Sequence, residues 1–264
     1  MQGIIIGNIA NTYKIKIDTK EYEAYARGKL KSQEVVPLVG DTVEISITDE
    51  ENKKAIIEQI MKRKNEIKRP KIANIDQIIF IISTQNPKPD LLMLDKQLAY
   101  VEKLKIEPVI IINKIDLEDN YKQIQDLYAK IGYKTIVTSA KQKIGIDKVK
   151  ECLKNKISVF SGNSGVGKSS IINAIFGIDK NTFIADTPGF SSFEIKEIQS
   201  NELEKYFREF KPEIINCEYV GCTHIKEQSC GIKKAVEEGR ISQERYERFC
   251  KIYEELKNIE KHRW

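Results

Sequence analysis

The chain has 264 residues, 41% hydrophobic and 31% charged, with a net charge of +5, an ordinary globular composition with room for one large core and smaller ones. A +5 balance is compatible with a polyanionic partner without requiring one. The opening "MQGIIIGNIANTYKIKI" has no basic n-region or cleavage site, and the runs "IIFII" and "VIII" fall far short of a bilayer span, so neither secretion nor membrane insertion is expected. Five cysteines without paired spacing point to a reducing compartment, and the expected location is the cytoplasm.

Up to about Ile60 the chain alternates apolar and polar residues in short bursts, "GIIIGNI", "YKIKID", "EYEAYARGKL" and "DTVEISIT", with Gly28, Gly40 and Asp41 as punctuation. So many short strands predict a small Greek-key barrel of the nucleic-acid-binding OB type, with an SH3-like barrel or an open sheet as alternatives. The basic stretch Met61–Asn74 follows and reads equally well as a solvated tether. From Ile75 the pattern changes. "NIDQIIFIIS" and "EPVIIIN" are near-continuous β-branched runs, the mark of strands covered on both faces. Helical stretches at Asp90–Leu104, Asn120–Ile131 and Ile146–Leu153 alternate with these and with "KTIVTSA" and "KISVFSG", which predicts a doubly wound parallel sheet. Beyond Phe193 the sequence turns helical and charged. In its last stretch Tyr246, Phe249, Tyr253 and Leu256 form one apolar stripe, expected to dock on its own domain.

Gly162-Asn163-Ser164-Gly165-Val166-Gly167-Lys168-Ser169 fits the phosphate-binding loop G-x-x-x-x-G-K-[ST] at every fixed position, between the apolar strand Ile157–Phe160 and a helix-like run "SSIINAIFG" that opens with Ser169 and Ser170. Backbone N–H groups of such a loop converge on phosphate oxygens. Lys168 would place its charge on the β- and γ-phosphates, and the Ser169 hydroxyl would hold Mg²⁺. "NKID" (Asn113, Lys114, Ile115, Asp116) follows a strand directly, at the carboxyl edge where ligands sit in this architecture. The Asp116 carboxylate can accept from the N1–H and 2-amino group of guanine, whereas adenine would leave it desolvated and unpaired. Asn113 would reach the other edge of the base, and the Lys114 stem would cover its face. "TSA", with Ser139 and Ala140, would supply a backbone N–H to the guanine oxygen. "DTPG" follows "NTFIA"; Asp186 would reach Mg²⁺ through water and the Gly189 N–H would face the γ-phosphate, although as an isolated tetrapeptide it is also a good β-turn. Lys168, Ser169, Asp186 and Gly189 are thus the candidate catalytic groups.

The base-reading motifs precede the phosphate-reading ones, which is the same sheet with its chain cut and rejoined elsewhere. One consequence is that the segment around Asp186–Gly189 leads straight into the C-terminal region. Taken with "ARGKL", "PLVGD", "GNSGVGKSS", "DTPGF" and "CEYVGCTHIKEQSC", this order resembles the circularly permuted ribosome small-subunit-dependent GTPase A family over nearly the whole chain. The resemblance implies an OB-type barrel at 1–68, a permuted P-loop GTPase domain at 69–193 and a helical zinc-binding domain at 194–264. It also implies action in late maturation of the 30S subunit, with GTP hydrolysis stimulated by that subunit; GTP and GDP as ligands, contact with 16S rRNA, a monomeric state and release driven by hydrolysis are the further expectations. The alternative is a non-catalytic RNA-binding assembly module that uses GTP only as a ligand.

Cys217, Cys222, His224 and Cys230 give C-x4-C-x-H-x5-C, enough for a closed tetrahedral Zn²⁺ site; unrelated buried cysteines are the other reading. Cys152 and Cys250 are expected to be small core residues. Two departures stand out. Ser169 and Asp186 are too close in sequence for a helix, the first switch segment of a GTPase and the strand after it; the histidine that the resembled family carries there has no match. A segment is therefore expected to be missing between about Gly177 and Asn181. An intact mass well above 30.4 kDa is the predicted result, and a mass at that value refutes it. Phe190 also stands where familiar GTPases place a water-orienting glutamine, which predicts slow intrinsic hydrolysis.

Overall fold

Alternation up to Ile60 is realised as five strands, β1 (Gln2–Ile9), β2 (Thr12–Ile17), β3 (Lys20–Ala26), β4 (Thr42–Asp49) and β5 (Lys54–Ile60). The computed structural model describes residues 1–28, 36–68, 71–175, 183–186 and 195–262. The five strands close into a barrel in the order β1-β2-β3-β5-β4, the parallel β3–β5 pair completing the ring. Inward residues fill it, among them Ile5, Ile15, Tyr22, Val43, Ile45 and Ile57. The expected OB-type barrel is present.

Beyond the barrel, the basic stretch is more than a tether. β6 (Glu66–Lys68) and β7 (Lys71–Ala73) pair antiparallel, and Ile67 and Ile72 enter the core of the next domain. The boundary drawn at 68/69 falls between these two strands. The joint to the barrel is built from backbone and one buried ion pair. Ala73 N–H donates to the Val39 carbonyl at 2.9 Å and Asn74 Nδ2 to the Gly40 carbonyl at 3.0 Å. Arg63 grips fully buried Asp41 with Nε and Nη2, each at 2.8 Å. Gly40 has φ +90°, and a Cβ there would lie 2.0 Å from the Ala73 oxygen, so only glycine allows this approach. Residues 61–74 hold six Lys and Arg against one Glu, a surplus equal to the whole chain's +5, whereas residues 1–60 hold eight basic and ten acidic residues. Lys62, Lys64 and Lys71 are exposed.

The β-branched runs become a parallel sheet ordered β10-β9-β8-β11-β12, with β8 (Gln77–Ser83), β9 (Glu107–Asn113), β10 (Lys134–Val137), β11 (Ile157–Ser161) and β12 (Phe183–Asp186). Alternate residues of β8 and β9 face opposite layers. Ile78, Phe80, Ile110 and Ile112 meet helices α1 (Leu91–Lys103) and α2 (Tyr121–Lys130). Ile79, Ile81, Val109 and Ile111 meet α3 (Ile146–Leu153) and α4 (Lys168–Ala174). The chain winds from β8 towards β10 on one side and from β11 to β12 on the other, so the order reverses at the β8/β11 boundary, where ligands collect in such sheets.

The C-terminal region opens with four 3₁₀ turns between Ile195 and Asn216 instead of an α-helix. Phe207 and Phe210 are three residues apart, which that helix type places on one face, and their rings sit 5.3 Å apart. Helices α5 (Gly231–Glu237) and α6 (Gln243–Lys261) follow. The stripe on α6 docks on its own domain as expected, with Phe249 and Leu256 buried and Tyr246 and Tyr253 partly so, but the buried face is centred on Phe249, Ile252 and Leu256. The same core includes Ala99 and Tyr100 of α1, so the region is packed onto the nucleotide domain. Cys152 is buried in the sheet core and Cys250 packs against the C-terminal one.

This junction contains buried charge. Arg245, 1% exposed, bonds Asp95 of α1 through Nη1 and Glu209 through Nε at 2.5 Å, and its guanidinium lies 4.6 Å from the Phe207 ring. Asp95 also accepts from Arg248 Nε at 2.5 Å and Tyr128 Oη at 2.6 Å. Such a set contributes little net stability over a hydrophobic replacement, but removing one partner alone leaves an uncompensated buried charge and costs about 3–5 kcal/mol.

Candidate nucleotide site and metal centre

Strand β11 delivers the loop Gly162–Ser169 at the carboxyl edge of the sheet, and β9 delivers Asn113 beside it. Asn113 is 2% exposed, and its amide joins three segments. Nδ2 donates to the Val166 carbonyl at 2.9 Å; Oδ1 accepts from Thr138 Oγ1 at 3.0 Å and from Ala140 N–H at 3.2 Å. Gly167, with φ +93°, lies so near that a Cβ would come within 2.3 Å of Asn113 Nδ2. The sequence assigned Asn113 to the base; here it is first the strut that ties the 138–140 stretch to the 162–169 loop, with one Nδ2 hydrogen unengaged among the described residues. Of the backbone N–H groups that the "TSA" stretch could offer a guanine oxygen, that of Ala140 is engaged by Asn113.

Lys114 adopts φ +64° and sends Nζ to the Gly165 carbonyl at 2.7 Å and to the Asn86 carbonyl. Its own carbonyl accepts from Thr84 Oγ1 at 2.7 Å. The lysine stem is thereby laid along the phosphate loop. Ile115 N–H donates to the Thr138 carbonyl at 3.3 Å, which keeps the two base loops in step, and Ser139 is buried. A pocket of about 320 Å³ is lined by Asn113, Lys114, Asp116, Ala140, Gly167 and Ser170, with Leu117 and Lys141 completing it. Sequence reasoning missed those two, although each directly follows a predicted site residue, Leu117 after Asp116 and Lys141 after Ala140. Parts of three predicted motifs, namely Asn113, Lys114 and Asp116, then Ala140, then Gly167 and Ser170 at the end of the phosphate loop, therefore share one cavity, which Lys168 and Ser169 do not line.

On the phosphate side, α4 begins at Lys168, and Ser169 and Ser170 are exposed, as are Asn163, Ser164 and Gly165 at the loop crown. β12 pairs with β11 in register Phe160↔Asp186, which sets Asp186 at the strand end beside the loop. Gly189, Phe190 and the 177–181 stretch lie outside the described residues.

About the cysteine cluster, the ligand atoms of Cys217, Cys222, His224 and Cys230 all lie within 4.8 Å of one another. His224 Nδ1 stands 3.6 Å from Cys217 Sγ and 3.4 Å from Cys230 Sγ. Bonds of about 2.3 Å to sulfur and 2.0 Å to nitrogen at tetrahedral angles place S and N about 3.5 Å apart, so the donor set fits Zn²⁺. Burial, with the neighbouring Cys230 and Cys217 sulfurs adding to it, pushes the Cys222 thiol up to about 12, and burial also raises Cys230. A cation is what would let three thiolates share this space. The loop is shaped by Glu227, whose carboxylate accepts from Thr223 N–H at 3.0 Å, Thr223 Oγ1 at 2.8 Å and Lys226 N–H at 3.1 Å. The reading of these cysteines as unrelated core residues does not describe this cluster.

Comparison with known proteins covers the chain in two pieces. A family model described as RsgA N-terminal domain matches residues 2–57, and one described as RsgA GTPase matches residues 60–179. A "Small ribosomal subunit biogenesis GTPase RsgA" of Alkaliphilus metalliredigens is 35% identical over 97% of this chain and 98% of its own. One from Clostridium botulinum strain Hall is 36% identical across the full length of both, in an alignment of 294 positions against the 264 residues here. Among solved structures, YjeQ from Thermotoga maritima matches with TM-score 0.89 at 35% identity, over 97% of this chain and 98% of that one. YloQ, described as a circularly permuted GTPase, matches with TM-score 0.87 at 33% identity, over 97% and 95%.

Proposed function

The chain belongs to the RsgA GTPase family, and from that premise we propose that it hydrolyses GTP to GDP and phosphate on the small ribosomal subunit, assisting that subunit's biogenesis. The observation that carries this is Asn113, a single buried side chain binding the base loops to the phosphate loop across a permuted chain. The non-catalytic alternative is not favoured.

In finer detail, Asp116, with Lys114, Ala140 and the loop 162–170, holds guanine nucleotide. Lys168 neutralises phosphate charge, and Ser169 and Asp186 hold Mg²⁺, which when bound offsets charge building on the β- and γ-phosphates. Gly189 meets the γ-phosphate. Cys217, Cys222, His224 and Cys230 hold one structural Zn²⁺. The functional units are 1–68, 69–193 and 194–264, with the β6–β7 hairpin bridging the first two. The protein works as a cytoplasmic monomer; no helix among the described residues is long and apolar enough to cross a membrane. Its rRNA partner is 16S rRNA. Supporting that reading is the placement of the basic surplus, with exposed Lys62, Lys64 and Lys71 at the joint beside a nearly neutral barrel. The excess of alignment positions over residues, with the GTPase model's match ending at 179, supports a missing segment near Gly177–Asn181.

Co-sedimentation with 30S subunits tests partner, nucleotide and switch together. The protein is expected in the pellet with a GTP analogue and in the supernatant with GDP, and phosphate release is expected to rise when 30S subunits are added. Equal sedimentation in both nucleotides, or turnover indifferent to 30S subunits, would overturn the proposal.

A further inference from the structure

The imidazole of His224 has two faces with different jobs. Nδ1 looks into the sulfur cluster, flanked by Cys217 and Cys230. To donate a lone pair to a metal, Nδ1 must be unprotonated, so the ring's proton has to sit on Nε2. Nε2 lies 2.5 Å from Glu204 Oε2. The ring is 1% exposed and is walled by Phe210 and Phe249, with centroids at 5.9 and 6.2 Å, which leaves little room for water to replace the carboxylate.

Glu204 is held in place by its own element. The 3₁₀ helix Ser200–Tyr206 is pinned at its start by Glu260, which accepts from Ser200 N–H at 2.7 Å and from Ser200 Oγ at 2.8 Å. Leu203, the residue before Glu204, and Phe207 are both fully buried in the core shared with Ala99 and Tyr100 of α1. The carboxylate is therefore presented to His224 from a body already packed against the nucleotide domain, not from the metal loop itself.

We infer that Glu204 is the outer partner of the metal centre: it fixes the His224 tautomer with Nδ1 towards the ion, strengthens that nitrogen as a ligand, and fastens the loop 217–230 to the 3₁₀ helix Ser200–Tyr206. Carboxylate partners of metal-bound histidines change metal affinity by about 10–100-fold. No feature of the sequence points to Glu204, which lies twenty positions from the histidine.

The inference rests on the zinc reading above, and the full-length protein separates the two. Zn²⁺ affinity is measured by competition with a chromophoric chelator. Parent protein that takes up no Zn²⁺ sinks the metal reading and this inference with it. With Zn²⁺ bound by the parent, Glu204→Ala is expected to weaken it about 10–100-fold. Glu204→Gln, whose amide oxygen still accepts from Nε2–H, is expected to lose only several-fold. Glu202→Ala, on the same helix, is expected to bind as the parent does. The Co²⁺-substituted spectra of all three should keep the bands of a three-thiolate, one-imidazole site. Parent-like affinity in Glu204→Ala, or an equal loss in Glu202→Ala, overturns the inference and leaves the zinc reading standing. Should Glu204→Ala fail to fold, parent-like affinity in Glu204→Gln does the same.

Discussion

Asp116→Asn is expected to lower GTP affinity by about 10²–10⁴-fold and to turn the preference towards xanthine nucleotides. In the proposed site the carboxylate would accept from two donors on guanine, and hydrogen bonds to a charged group are worth about 1.5–3 kcal/mol each, which sets that range. An asparagine presents one acceptor and one donor. It can still take the N1–H, but its Nδ2 then meets the guanine 2-amino group, donor against donor. Xanthine carries a carbonyl at that position and restores the match. Asp116 lines the pocket with Lys114, Ala140 and Gly167, so the substitution changes the reading edge without touching the Asn113 strut behind it. Equilibrium binding of GTP and XTP to parent and variant measures the exchange. A variant that keeps its GTP affinity would remove the base assignment.

Removing the Zn²⁺ proposed for the cysteine cluster is expected to unfold the C-terminal region while the barrel and the nucleotide domain persist. Structural zinc binding supplies about 10–16 kcal/mol in small metal-dependent units, as much as or more than the roughly 5–15 kcal/mol that holds an ordinary domain together. Without the ion, burial keeps Cys222 and Cys230 protonated, and His224 faces sulfurs that no longer share a cation. The loop 217–230 contributes few apolar side chains of its own, and Tyr219 and Val220 at its tip point to solvent. Limited proteolysis after chelation should cut between 195 and 262 and leave a resistant fragment that binds GTP; returned Zn²⁺ should restore the full-length pattern. Protease resistance unchanged by chelation would argue that the aromatic core alone suffices.

Much of the site was legible because its chemistry is local. The phosphate loop, the Asn113–Asp116 stretch and the cysteine spacing each fit within a short run, and strand periodicity placed the first two at strand ends. The partners of those residues were not legible, because they depend on pairings between distant positions. Asn113 meets Val166 across 53 residues, and Arg245 meets Asp95 across 150. A weak signal existed for the second. Arg245 stands at helical spacing from the apolar Phe249, Ile252 and Leu256, a row beside the stripe expected from the sequence. For the basic stretch 61–74, charge pointed to solvent while Ile67 and Ile72 carried the alternation of a short hairpin, and the hairpin prevailed because both isoleucines found a core.

The seam at Gly40, Asp41, Arg63 and Ala73 has a mechanical consequence. Two backbones in near contact, plus a bidentate grip on a carboxylate sealed from water, leave no slack for swivelling there. Barrel and sheet must travel as one block. Any reorientation that accompanies GTP turnover has to be delivered by that block turning whole.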